Sequence, residues 1–160
     1  MNDAKARLVA SNERPGSGLD YLQRIVAGEY AQLPIGEHLG FRIAAAEAGK
    51  VTLGGLPDAR SYNLLKSVHG GWTAAILDTA MALSNLTLLG DDVTFTTIDI
   101  RINYLRPITT QTGEVTAIGN VLQSGRKIAY VEAKLLDPSG KLLAHGTGSL
   151  LIMPRGQTPP

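Results

Sequence analysis

The sequence predicts an α+β fold in which an antiparallel, curved sheet wraps around one long apolar helix. Three observations predict it. Residues 70–89 form an apolar stretch of helical length with no polar face; such a helix must be surrounded by protein. Two strand signals precede it and four follow it. The later strands are joined by short turns, which call for antiparallel pairing. One such sheet and one all-round apolar helix satisfy each other when the sheet curls around the helix.

Taken in order, residues 1–18 read as a loose tail ending in Pro15-Gly16-Ser17-Gly18. Leu19 to Glu29 suits a short helix with Leu22, Ile25 and Val26 on one face. Pro34 and Gly36 then break the chain. Leu39 to Glu47 and Val51 to Leu56 read as strands joined by a turn at Gly49. Pro57 to Ser67 is polar and loop-like. The apolar helix begins near Gly70 and is ended by Gly90-Asp91-Asp92. Beyond it, Ile98, Ile100, Ile102 and Tyr104 alternate with Thr97, Asp99, Arg101 and Asn103, predicting a half-buried strand stopped by Pro107. Val115 to Gln123, Lys127 to Leu136 and Leu142 to Met153 are the last three strands. Their turns are Ser124-Gly125-Arg126 and Asp137-Pro138-Ser139-Gly140. Residues 154–160 read as a second tail, so residues 19–153 are expected to form a single domain.

Composition narrows the function. The chain has 160 residues, 44% hydrophobic and 18% charged, with a formal charge of +1. It reads as soluble and globular, with no field that would recruit nucleic acid or an anionic membrane. No cysteine is present, which excludes disulfides, thiolate nucleophiles and zinc–thiolate sites. Met1 to Ser11 has no apolar core, so no secretory signal is expected and the expected location is cytoplasmic. Trp72 to Leu89 could be mistaken for a membrane span, but a carboxylate in mid-span is costly. His38 and His145 stand alone, no metal-ligand spacing is present, and G-x-S-x-G is absent.

Chemistry concentrates at residues 67–90. Asp78 is the one carboxylate there. A carboxylate in an apolar helix needs either a partner, such as a loop it caps or a basic residue, or a chemical task. His69-Gly70-Gly71 stands where the helix begins. Small residues there leave backbone N–H groups uncovered at the positive end of the helix dipole, able to hold an oxyanion. They also suit a tightly packed helix start. Asp78 is nine positions after His69, roughly 13 Å along the axis. If both serve one carbonyl, two antiparallel helices related by a two-fold axis must bring them together. A homodimer with a shared site is therefore expected, as is a dimer of dimers.

Asn63 through His69-Gly70-Gly71, then Leu77-Asp78-Thr79-Ala80-Met81, resembles the PaaI-like (phenylacetic acid degradation type) branch of the hotdog-fold acyl-CoA thioesterases. That branch has an Asn six residues before His-Gly-Gly and an Asp nine residues after the His. Thr97-Ile98-Asp99 through Asn103-Tyr104-Leu105-Arg106-Pro107 resembles its next strand. Gln123-Ser124-Gly125-Arg126 and Asp137-Pro138-Ser139-Gly140-Lys141 resemble its later hairpins. The similarity spans residues 38–153. Lys66 departs from it, standing where relatives often have Gly, so a differently shaped loop is expected.

The resemblance implies hydrolysis of an acyl-CoA thioester. The Gly70 N–H, helped by Gly71, would hold the carbonyl oxygen, and Asn63 would orient the carbonyl or the attacking water. Asp78 would be general base or nucleophile, Thr97 would hydrogen-bond that carboxylate or the water, and His69 would position. Coenzyme A is then part of the substrate, with no separate cofactor and no metal. Gly125, Arg126 and Lys127 at a hairpin tip, and Arg106 at a strand end, are candidates to meet its phosphates. A non-catalytic acyl-CoA-binding module and an acyl-CoA hydratase or dehydratase on the same fold are the alternatives. The acyl group itself is not legible.

Overall fold

A computed structural model describes residues 9, 10 and 13–157. Helix α1 (Gly18–Val26) starts at Ser17, whose hydroxyl accepts from the Asp20 N–H at 3.2 Å. It buries Tyr21, Leu22 and Ile25. Val26, expected on that face, is 41% exposed; Tyr21 takes its place because it lies four residues before Ile25. Next comes a helix, α2 (Pro34–Leu39), where the sequence places chain breakers. Pro34 is its first residue, where proline's missing N–H costs nothing. Gly40 ends it at φ 75°.

Six strands form one antiparallel sheet: β1 (Phe41–Glu47), β2 (Lys50–Gly55), β3 (Val93–Tyr104), β4 (Val115–Ser124), β5 (Ile128–Leu136) and β6 (Leu142–Pro154), in the order β1-β2-β4-β5-β6-β3. Helix α3 (Gly70–Leu86) lies in its concave face. Ile76, Leu77, Ala80 and Met81 have no exposure and pack with Val51, Leu53, Ala117 and Leu135. The helix backbone comes unusually close to the sheet at Gly119, where a Cβ would stand 2.1 Å from the Ala80 carbonyl oxygen. Only glycine permits that approach. No helix among the described residues is long and apolar enough to cross a membrane.

Residues 1–8, 11 and 12 of the expected N-terminal tail, and 158–160 of the C-terminal one, lie outside the described residues. Within those tails Val9 and Arg14 are buried. The Arg14 guanidinium donates to the carbonyls of Gly90 and Val93. Arg155 donates to those of Asp91 and Arg14. These two arginines tie residues near both ends of the chain to the connection between α3 and β3.

Edge strand β3 departs from expectation. Ile98, Ile100 and Tyr104, expected on the buried face of the strand, are 53%, 39% and 56% exposed. Among the described residues, no further strand pairs with this edge. The alternation is also broken. Thr97 pairs with Leu150 and Asp99 with Ser149, so Ile98 is the extra residue of a bulge. Strict alternation would put Thr97 on the face of Asp99. The bulge turns it instead to the helix side, with Ile100, Ile102 and Tyr104.

Part of α3 is uncovered too. Gly71 is exposed, and Ala75, Asp78 and Ala82 are half-buried. At these spacings they form one stripe along the helix.

Candidate active site

The loop before α3 is organised by Asn63. Its Oδ1 accepts from the N–H groups of Leu65 at 2.8 Å and Ser67 at 3.3 Å, and its Nδ2 donates to Ser67 Oγ at 3.0 Å. Lys66 stands at φ 58°, a conformation glycine adopts most readily. The departure at this position therefore does not by itself force a different backbone path. Its cost is strain of roughly 1–2 kcal/mol.

His69 caps α3. Its Nδ1 accepts from the Gly71 N–H at 2.9 Å, which places the proton of a neutral imidazole on Nε2. The Gly71 N–H is thereby occupied, against the expectation that it would assist Gly70. The Gly70 N–H meets no acceptor among the described residues. No carboxylate among the described residues hydrogen-bonds His69, so a carboxylate–histidine relay has no basis there. Asn63, Gly70, Tyr104 and Arg106 line one cleft of about 340 Å³, floored by Val68, Ile108 and Leu143.

Asp78 lies outside that cleft, farther along the same helix. Thr97 Oγ1 donates to its Oδ1 at 3.1 Å. Burial raises the Asp78 pKa above the ordinary carboxylate range, and the Thr97 bond partly opposes the rise. No cation pairs with it among the described residues.

The structure thus joins Asp78 to Thr97, and Asn63 to Gly70 and Arg106, but does not join the two groups within one chain. A third group is separate again. Arg126 and Lys127 are exposed beside a 420 Å³ depression that includes Val93, Leu151 and Ile152. Gly125 closes the turn through its N–H to the Ile128 carbonyl oxygen at 2.9 Å. Arg106 donates to the Leu142 carbonyl, which anchors it at the start of β6.

Two side chains have roles that the sequence did not reveal. His145 is not isolated: its Nε2 lies 3.1 Å from Glu132 Oε2 on the outer face of the sheet. Tyr104, expected only to pack, donates its hydroxyl to the Gly70 carbonyl at 3.1 Å. The signal available was its place in the Asn103–Pro107 segment that carries the family resemblance.

A sheet curled around one apolar helix is the hotdog architecture. Here it carries a half-buried carboxylate at the helix's middle and, at the helix's start, an N–H with no acceptor among the described residues. The chain belongs to the thioesterase superfamily, whose profile matches residues 65–144, half of its length. A Haemophilus influenzae protein provisionally named an esterase is 29% identical over 105 residues, covering 66% of this chain and 75% of that protein. Among solved structures, a phenylacetic acid degradation-related protein of Ralstonia eutropha JMP134 is 27% identical with a TM-score of 0.73, covering 82% of this chain and 98% of that one. A mutant of the phenylacetic acid degradation protein PaaI of Thermus thermophilus is also 27% identical, with a TM-score of 0.68, covering 74% of this chain and 98% of that one.

Proposed function

We propose that this chain hydrolyses acyl-CoA thioesters at a site shared between two copies of itself. The observation that carries the proposal is Asp78. It is a half-buried carboxylate with a raised pKa and one neutral hydrogen-bond partner, standing on the uncovered stripe of α3. Such a group is a poor structural element and a better proton acceptor than an ordinary exposed carboxylate.

The uncovered stripe and the exposed β3 edge are the surfaces a second copy would cover. Antiparallel α3 helices would then set Gly70 of one protomer beside Asp78 of the partner subunit. In that arrangement the thioester oxygen accepts from the Gly70 N–H. The second Nδ2 hydrogen of Asn63 faces the same carbonyl. The partner subunit's Asp78, held by its threonine, takes a proton from water as the water oxygen bonds to the carbonyl carbon. The carbon–sulfur bond then breaks, and the proton passes to the departing CoA sulfur. Arg106, together with Arg126 and Lys127 at the Gly125 turn, supplies positive charge for the CoA phosphates.

A thiol-release assay over aromatic, medium-chain and hydroxylated acyl-CoAs tests the proposal. Turnover of at least one of them, lost in Asp78→Asn while binding remains, is the expected result. Near-normal hydrolysis by Asp78→Asn, or tight binding without turnover of any acyl-CoA, defeats it. A single turnover in ¹⁸O-water separates the two roles of the carboxylate: a base delivers the label to the acid product at once.

A further inference from the structure

We infer that Tyr104 is a positioning residue that fixes the Gly70 N–H toward the thioester oxygen; this rests on the function proposed above. Tyr104 closes strand β3, and its hydroxyl donates to the Gly70 carbonyl at 3.1 Å. That carbonyl belongs to the Gly70–Gly71 peptide, whose N–H donates to His69 Nδ1 at 2.9 Å. One peptide unit is thus gripped at both ends by side chains, one from the loop and one from the far edge of the sheet. The preceding peptide, which carries the Gly70 N–H, is held as well, because Trp72 N–H donates to the His69 carbonyl at 3.0 Å; one peptide further back, His69 N–H donates to the Ser61 carbonyl at 2.7 Å.

The arrangement answers a physical difficulty. Two glycines in succession give the helix start wide backbone freedom. An oxyanion donor acts through preorganisation, and a donor that must first be ordered loses much of its effect. Fixing the peptides on both sides of Gly70 removes that freedom and leaves its N–H in one direction. The same contact also explains the glycine. A Cβ at position 70 would stand 3.2 Å from the Tyr104 ring, tighter than side chains ordinarily pack. The tyrosine that restrains the turn therefore also favours the small residue that needs restraint.

Tyr104→Phe tests the inference, because it keeps the ring and deletes the hydroxyl. Three quantities are measured: kcat and KM on the best acyl-CoA, amide hydrogen exchange at Gly70 and Gly71 by NMR, and Tm. The expected result is a fall in kcat of about tenfold with KM and Tm little changed, and faster exchange at Gly71. A raised KM with unchanged kcat overturns the inference by showing that Tyr104 meets substrate directly. A lowered Tm with unchanged kcat overturns it by showing a purely structural contact. If the wild-type chain turns over no acyl-CoA, the proposed function fails, while the exchange at Gly71 still decides whether the hydroxyl restrains the turn.

Discussion

Hybrid dimers give the sharpest test of the shared site. The perturbations are Asp78→Asn in one subunit and Gly70→Pro in the other. Gly70 is the first residue of α3, where proline is well tolerated. His69 precedes it at ψ 139°, within the range allowed before proline. Proline therefore deletes the N–H donor while the helix can keep its start. The half-exposed Tyr104 ring must yield a few tenths of an ångström. Losing the donor should lower kcat about 10²–10³-fold, and losing the base about 10²–10⁴-fold. Asp78 and Gly70 are eight residues apart, about 12 Å of helical rise, so a site that uses both would have to draw them from two chains. A hybrid then holds one intact site and one doubly damaged site. Purified by two tags, it should show about half of wild-type activity per dimer, and an unsorted equal mixture about a quarter. Hybrids as inactive as either parent would refute the shared-site reasoning outright.

Three further outcomes are expected. Burial holds the Asp78 pKa above its ordinary value, so its ionisation opposes folding. Stability is greatest below the ordinary carboxylate range and falls as pH rises through that range to the raised folded value. Asp78→Asn should therefore raise Tm at pH 7, with the gain vanishing near about pH 3; a lower Tm at pH 7 contradicts the desolvation argument. Thr97→Val removes the bond that holds this pKa down, so the acid limb of the kcat/KM profile should move to higher pH, and an unmoved limb would detach Thr97 from the base. Gly119→Ala should cost about 1–3 kcal/mol in chemical denaturation, because its Cβ would sit 2.1 Å from the Ala80 carbonyl oxygen; an unchanged midpoint would deny the close approach of helix and sheet.

Much of the fold was legible because its signals are local. The turns at Gly125 and Gly140 delimit β4, β5 and β6 within a residue or two, and the apolar run 70–89 announced α3. Helix α2 was missed because six residues carry little periodicity, and Pro34 both breaks a helix and begins one. Long-range features could not be read. The strand order puts β3 beside β6, and nothing near β3 encodes that neighbour. The bulge at Ile98 is a matter of pairing with Ser149 and Leu150, so the face shown by Thr97 emerges only in the sheet.

The site divides in the same way. Asp78 stood out as a lone carboxylate in an apolar helix, and its distance from His69 followed from helical rise alone. The expected help from the Gly71 N–H was lost to His69 Nδ1, a bond set by one ring orientation. Tyr104 reaches Gly70 from 34 residues away, a contact that depends on how far the sheet curls around the helix. Arg106 was expected for its charge, but its bond to the Leu142 carbonyl shows that part of its hydrogen-bonding capacity serves the fold.

The most direct measurement is a crystal structure with a non-hydrolysable acyl-CoA analogue. The carbonyl-equivalent oxygen should lie about 2.7–3.1 Å from the Gly70 nitrogen, with Asp78 of the partner subunit within hydrogen-bonding reach of the water aligned on the carbonyl carbon. An acyl group seated elsewhere, or a carbonyl approached by Asp78 and Gly70 of the same chain, would contradict the shared site.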